Sequence, residues 1–221
     1  MTRTPGGATV SALLKPRKLI VEEYFALDEK AERKSEFFDG EMFAMAGASR
    51  THNVLTRNLT GHLFARLQGG SCQVFVADLR VKVNKTGLYT YPDLLIVCGP
   101  LEYAPENRDT LTNPKVVIEV LTDSTEKYDR TTKFRHYKQM PSVMEYVLVS
   151  QDEPLIERFA RRPDGTWSQS EFVGLDAAMA LDSVPASVPL ADIYLGVEFP
   201  VRPRSAGPLP AEAKTPVGDD S

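Results

Sequence analysis

The segment Val116-Val-Ile-Glu-Val-Leu121 is an apolar run broken by a single carboxylate. A short β-branched run of this kind reads as a strand buried on both faces. Glu119 at its centre would cost several kcal/mol, roughly, if its charge were buried without a partner. Something must satisfy Glu119, either a structural salt bridge to a lysine or arginine or a divalent cation shared with another acid.

The neighbouring elements define a fold class. Leu55, Leu59, Leu63 and Leu67 recur every four residues in a helix expected over about 50–68, with Ser49 as N-cap and Gly69-Gly70 as its stop. Strands are expected at 72–77, 79–83, 91–98, 116–121, 145–150, 155–160 and 167–173. A second long helix is expected over about 130–140, capped by Asp129 and ended by Pro141. A short helix over 19–33 and a hairpin over 34–45, turning at Asp39-Gly40, come before these elements. This order builds an α/β fold in which helices cover a mixed sheet.

The chain has 221 residues and 42% hydrophobic content, enough for one domain. Residues 18–199 are assigned to it, with a flexible arm at 1–17 and a disordered Pro/Gly/Ala-rich tail at 200–221. No segment has the roughly 20 consecutive apolar residues of a membrane span, and the start lacks a secretory apolar core. A soluble, cytoplasmic protein is expected. Cys72 and Cys98 fit no redox or zinc spacing and are read as buried free thiols in a reducing compartment.

Net charge is -4, yet residues 50–138 hold thirteen Lys or Arg against nine Asp or Glu. A basic middle is compatible with a polyanion surface and equally with solvated helix faces. Asp93 follows Pro92 at the start of an apolar strand. Asp93 and Glu119, on two core strands, could supply the oxygen ligands a hard cation such as magnesium takes. No nucleophile elbow, P-loop, dinucleotide fingerprint or zinc-protease motif competes.

The segments PDLLIVCG and PKVVIEVLTDSTEKYDRTTKFRHYKQMPSVMEYVLVSQ resemble the Uma-type restriction-endonuclease family, a bacterial branch of the PD-(D/E)XK nuclease superfamily. KSEFFDGEMFAMAGASRTHNVLTRNL and FVADLRVKV resemble its upstream blocks. The resemblance spans roughly residues 18–199 and rests on Pro92-Asp93, Glu119 and the spaced Ser124, Thr125, Asp129, Lys133 and Tyr137. It implies a restriction-endonuclease-like core of mixed β-sheet flanked by helices, with an added N-terminal helix and hairpin. It also implies a magnesium-dependent endonuclease, with manganese as a substitute, acting on nucleic acid, in particular DNA, as a homodimer. Asp93 and Glu119 would be the metal ligands. The superfamily lysine belongs two residues beyond Glu119, where this chain has Leu121. Lys133, in the following helix, is the natural replacement, with Lys127 as second candidate, and Lys133→Ala is expected to leave folding largely intact.

His52 either meets a phosphate or water at the helix start or packs in the core. Glu41 and Glu36 approach from the hairpin, with Glu41 favoured by the resemblance, and Asp78 is a weaker candidate. His62 and His136 read as ordinary helix residues, and Tyr137 as a neighbour of Lys133 one helical turn on. Leu121 also leaves room for a catalytically idle domain that only binds nucleic acid or a protein.

Overall fold

The computed structural model describes residues 17–200; the arm and tail expected at the ends lie, except for residues 17 and 200, outside them. In chain order the elements are α1 (Val21–Asp28), β1 (Ser35–Phe38), β2 (Glu41–Ala44), α2 (Arg50–Leu67), β3 (Cys72–Val76), β4 (Arg80–Val83), β5 (Leu88–Thr90), β6 (Leu94–Cys98), β7 (Tyr103–Ala104), β8 (Asn107–Leu111) and β9 (Val116–Val120). There follow α3 (Glu126–Tyr128), a π-helical turn (Asp129–Lys133), α4 (Phe134–Tyr137), β10 (Glu145–Val149), β11 (Leu155–Arg161), β12 (Trp167–Val173), β13 (Ala178–Leu181), β14 (Ala186–Pro189) and α5 (Leu190–Ile193).

The central sheet runs β12-β11-β10-β9-β6-β3 and is mixed, because β9 and β10 are parallel while the other neighbours are antiparallel. Both faces of β9 are buried, as its apolar run requires. Val116, Ile118 and Val120 pack with Leu55, Leu59, Leu63 and Leu67 of α2. Val117 and Leu121 join Phe134, Tyr137 and Met140 on the opposite side. Glu119 shares that second face by strand alternation.

A second sheet, β2-β1-β5-β4-β8-β7, lies on the α4 side and contributes Val81, Val83, Leu88 and Leu111 to the same apolar cluster. The expected hairpin is therefore the edge of a six-stranded sheet. Its turn forms as the Asp39-Gly40 pair dictates, with positive φ at both residues, 48° and 81°. The chain crosses from the second sheet to the central one between β5 and β6, at Tyr91-Pro92-Asp93. That crossing puts Asp93 at the seam.

Three expectations need correction. The helix near the site starts at Glu126, so Asp129 lies inside the helical segment and is no N-cap. The segment 99–113, where the sequence pattern places no strand, contains the β7–β8 pair. Cys72 and Cys98 are not free thiols: antiparallel β3 and β6 set them directly opposite, Cα atoms 4.0 Å apart, and they form a disulfide. They no longer argue for a reducing compartment. No described helix is long and apolar enough to cross a membrane.

Candidate active site

Asp93, Glu119 and Lys133 meet in one cleft of about 890 Å³ at the seam of the two sheets. Asp93 immediately precedes β6, and its Oδ2 accepts the Val120 backbone N–H at 2.7 Å, tying it to β9. Its Oδ1 lies 3.0 Å from His52 Nε2. His52 occupies this position because Ser49 caps α2 as its sequence suggests, accepting the His52 backbone N–H at 2.9 Å.

Glu119 is 3% exposed. Its Oε1 accepts from Lys133 Nζ at 3.0 Å and from the Tyr137 hydroxyl at 3.2 Å. Its Oε2 has a weak 3.4 Å contact from the Asp93 backbone N–H. Lys133 is 5% exposed and also lies 3.2 Å from Glu36 Oε1 and 3.6 Å from Asp129 Oδ1. Glu36 is held in turn by the Thr90 hydroxyl at 2.5 Å and the Tyr128 hydroxyl at 2.9 Å.

Four carboxylates, those of Glu36, Asp93, Glu119 and Asp129, thus crowd around one lysine and one histidine. Burial pushes the Glu119 carboxyl well above its usual range; Asp129 and Asp93 add to the shift and Lys133 opposes it. Burial alone would lower the Lys133 ammonium, but Glu119 and Glu36 outweigh it and hold the lysine charged. Negative charge is in excess.

The sequence-level candidates divide accordingly. Glu41 shares a face of the hairpin with Glu36 but sits exposed at its turn end and does not line the cleft; Glu36 is the hairpin acid that reaches the site. Lys127 is exposed and outside the cleft, whereas Asp78 lines it. His136 also lines the cleft and is more than an ordinary helix residue, with Nδ1 2.8 Å from the Thr86 hydroxyl and its ring edge-on to Phe38. His62 lies 3.9 Å from Asp192, away from the cleft. The role of Asp129 in the site was signalled by its position four residues before Lys133 on a helix.

Among the described residues no group of three or more His, Cys, Asp or Glu side chains is arranged to enclose a metal ion. Magnesium typically needs one or two protein carboxylates, completing its shell with waters and substrate oxygens. The excess of acids and the weakly engaged Glu119 Oε2 fit such an ion.

Comparison with known proteins agrees with this architecture. Two uncharacterized proteins of Synechocystis sp. are similar: slr1290 is 35% identical over 82% of this chain and 94% of its own length, and sll1609 is 33% identical over 72% and 90%. The crystal structure of a "putative nuclease belonging to DUF820" from Anabaena variabilis superposes with a TM-score of 0.65, covering 81% of this chain and 98% of that one at 16% identity, which establishes the shared fold. Residues 21–191 match the Uma2 family, "Putative restriction endonuclease", and the chain belongs to that family.

Proposed function

We propose that this protein is a magnesium-dependent endonuclease that hydrolyses phosphodiester bonds in nucleic acid, in particular DNA. The observation that carries the reading is the contact of Lys133 Nζ with Glu119 Oε1 at 3.0 Å, which supplies from the helical segment the ammonium that position 121 lacks. Asp93 and Glu119 would hold the ion, and manganese would substitute for it. Magnesium supplies Lewis-acid chemistry, activating water and stabilising charge that develops on phosphorus.

The chain's own residues have separable tasks in this reading. His52 and the Val120 N–H fix the Asp93 carboxylate, and Tyr137 fixes that of Glu119. Lys133, kept charged by its acidic neighbours, orients the attacking water and donates to the phosphoryl oxygens. Glu36 holds the lysine from the opposite side at 3.2 Å. The Leu121 substitution favours an idle binding domain as the second reading, because the usual strand lysine is absent.

Cleavage of plasmid or single-stranded DNA that needs magnesium or manganese and disappears in Asp93→Ala separates the two. Binding without turnover under every divalent metal would leave only the idle domain. The proposed active form is a homodimer presenting two sites. Light scattering that finds only monomer at micromolar concentration would remove that part.

A further inference from the structure

The cleft floor is acidic and polar, but one wall is not. Phe43 stands directly across from Glu36 in the β1–β2 ladder, so both side chains leave the same face of the hairpin, toward the cleft. Phe43 is 48% exposed, and Met45, Ala46 and Ala48 continue the wall toward α2. Half-exposed beside a charged floor, this ring presents an apolar face to the cleft. Arg33 and Lys34, both exposed, line the same cleft next to this wall.

We propose that this wall is the binding site for an unpaired nucleotide, its base stacked on Phe43 and its flanking phosphates met by Arg33 and Lys34. The inference rests on the endonuclease reading and narrows its substrate class to single-stranded or locally unpaired nucleic acid. The cleft volume of about 890 Å³ lies within the range that encloses a ligand of nucleotide size, about 300–1,000 Å³. Glu119 and Lys133, 3% and 5% exposed, lie at its floor, so a phosphodiester that reaches them carries its sugar and base into the cleft. A paired base is held in its stack and presents only sugar and phosphate to Phe43. An unpaired base presents a π face, which an aromatic ring accepts regardless of base identity. The cations supply the charge complementarity that four acids on the floor would otherwise oppose.

The test is binding in EDTA at low salt, read by fluorescence anisotropy of a short labelled oligothymidylate, alone and annealed to oligoadenylate. The single strand should bind at least about ten-fold tighter than the duplex, and Phe43→Ala should weaken single-strand binding by about 5- to 100-fold, as loss of one aromatic stack does. Phe43→Trp should bind like the wild type and lose indole emission when the single strand is added. Because Phe43 is exposed, neither variant threatens folding. Equal or tighter duplex binding, or an unchanged Phe43→Ala, overturns the proposal. Light scattering that shows Phe43→Ala losing a dimer while keeping its oligonucleotide affinity also overturns it, assigning the wall to a second copy of the chain. The predicted binding pattern without hydrolysis in magnesium keeps this site and removes the endonuclease reading. Hydrolysis of duplex by Phe43→Ala at the wild-type rate does the reverse.

Discussion

Replacing Lys133 by methionine keeps most of its length and removes its charge, which isolates the electrostatic role of the site. In the wild type this ammonium lies within 3.6 Å of Glu36, Glu119 and Asp129, all buried. Breaking a buried ion pair by removing one partner costs about 3–5 kcal/mol, because the remaining charge stays desolvated. The burial of Lys133, only 5% exposed, argues against the expectation from sequence that its replacement would leave folding largely intact.

The cost should depend on pH, and its sign follows from which state holds the proton. Glu36 keeps Thr90 and Tyr128 as donors in the variant, whereas Glu119 keeps only Tyr137 and the weak Asp93 N–H. Glu119, already raised in the wild type, is the acid that would retain a proton once the lysine is gone. A carboxyl with a raised folded-state pKa binds its proton more tightly when folded. Its stability contribution is complete below the unfolded pKa and is lost as pH rises toward the folded value. If the variant holds one extra proton, it should lose stability more steeply than the wild type as pH rises above the ordinary carboxylate range, by about 1.4 kcal/mol per pH unit while that proton is held. Urea unfolding of both proteins in EDTA across that range measures the difference. Parallel stability curves would refute the charge accounting, and a variant that cleaves DNA at the wild-type rate would refute the catalytic role of Lys133.

Leu121→Lys in the Lys133→Met background places an ammonium on the Glu119 face of β9 at the expense of the Leu121 packing; partial recovery of cleavage would show that both lysines serve one position, and no recovery in a variant that urea unfolding shows to be folded would separate them. Glu36→Gln should lower the turnover rate by about ten-fold or more with little change in DNA affinity, as expected of a group that positions Lys133, while Glu41→Ala, exposed and outside the cleft, should cleave normally. The reverse ranking in a cleavage assay would restore Glu41 to the site. Ser49→Ala removes the N-cap of α2 and should cost about 1 kcal/mol in urea unfolding; its cleavage rate should also fall, because α2 carries His52 to Asp93, and an unchanged rate would count against His52 as a positioning residue.

The features visible in the sequence are those with a local cause. Period-four leucines define α2, Asp39-Gly40 sets its hairpin, and apolar runs mark β6 and β9. The second sheet was not legible because β5 has three residues and β7 two, too short for an alternation to emerge, and β4 pairs with β8 in parallel from far along the chain. The Cys72–Cys98 pairing needed the β3–β6 register, which spacing does not provide. Glu36 and Glu41 lie on one face, so alternation could not choose between them. The choice was made by β5, which places Thr90 against Glu36 and leaves Glu41 in solvent.

In the proposed reading, position 121 gives a physical reason for the ammonium to come from the helix. Leu121 joins Phe134 and Tyr137 in the cluster that presses the helical segment onto β9, and a lysine there would carry its charge into that contact. The same packing brings the helix close enough for Lys133 to reach Glu119 from above, one turn from Asp129 and opposite Glu36. The π-helical turn spans Asp129–Lys133 itself, and such turns recur at functional sites because the widened helix re-aims its side chains. Leucine at 121 and lysine at 133 are then two parts of one arrangement: the first seats the helix, and the second uses that seat to return the charge to Glu119.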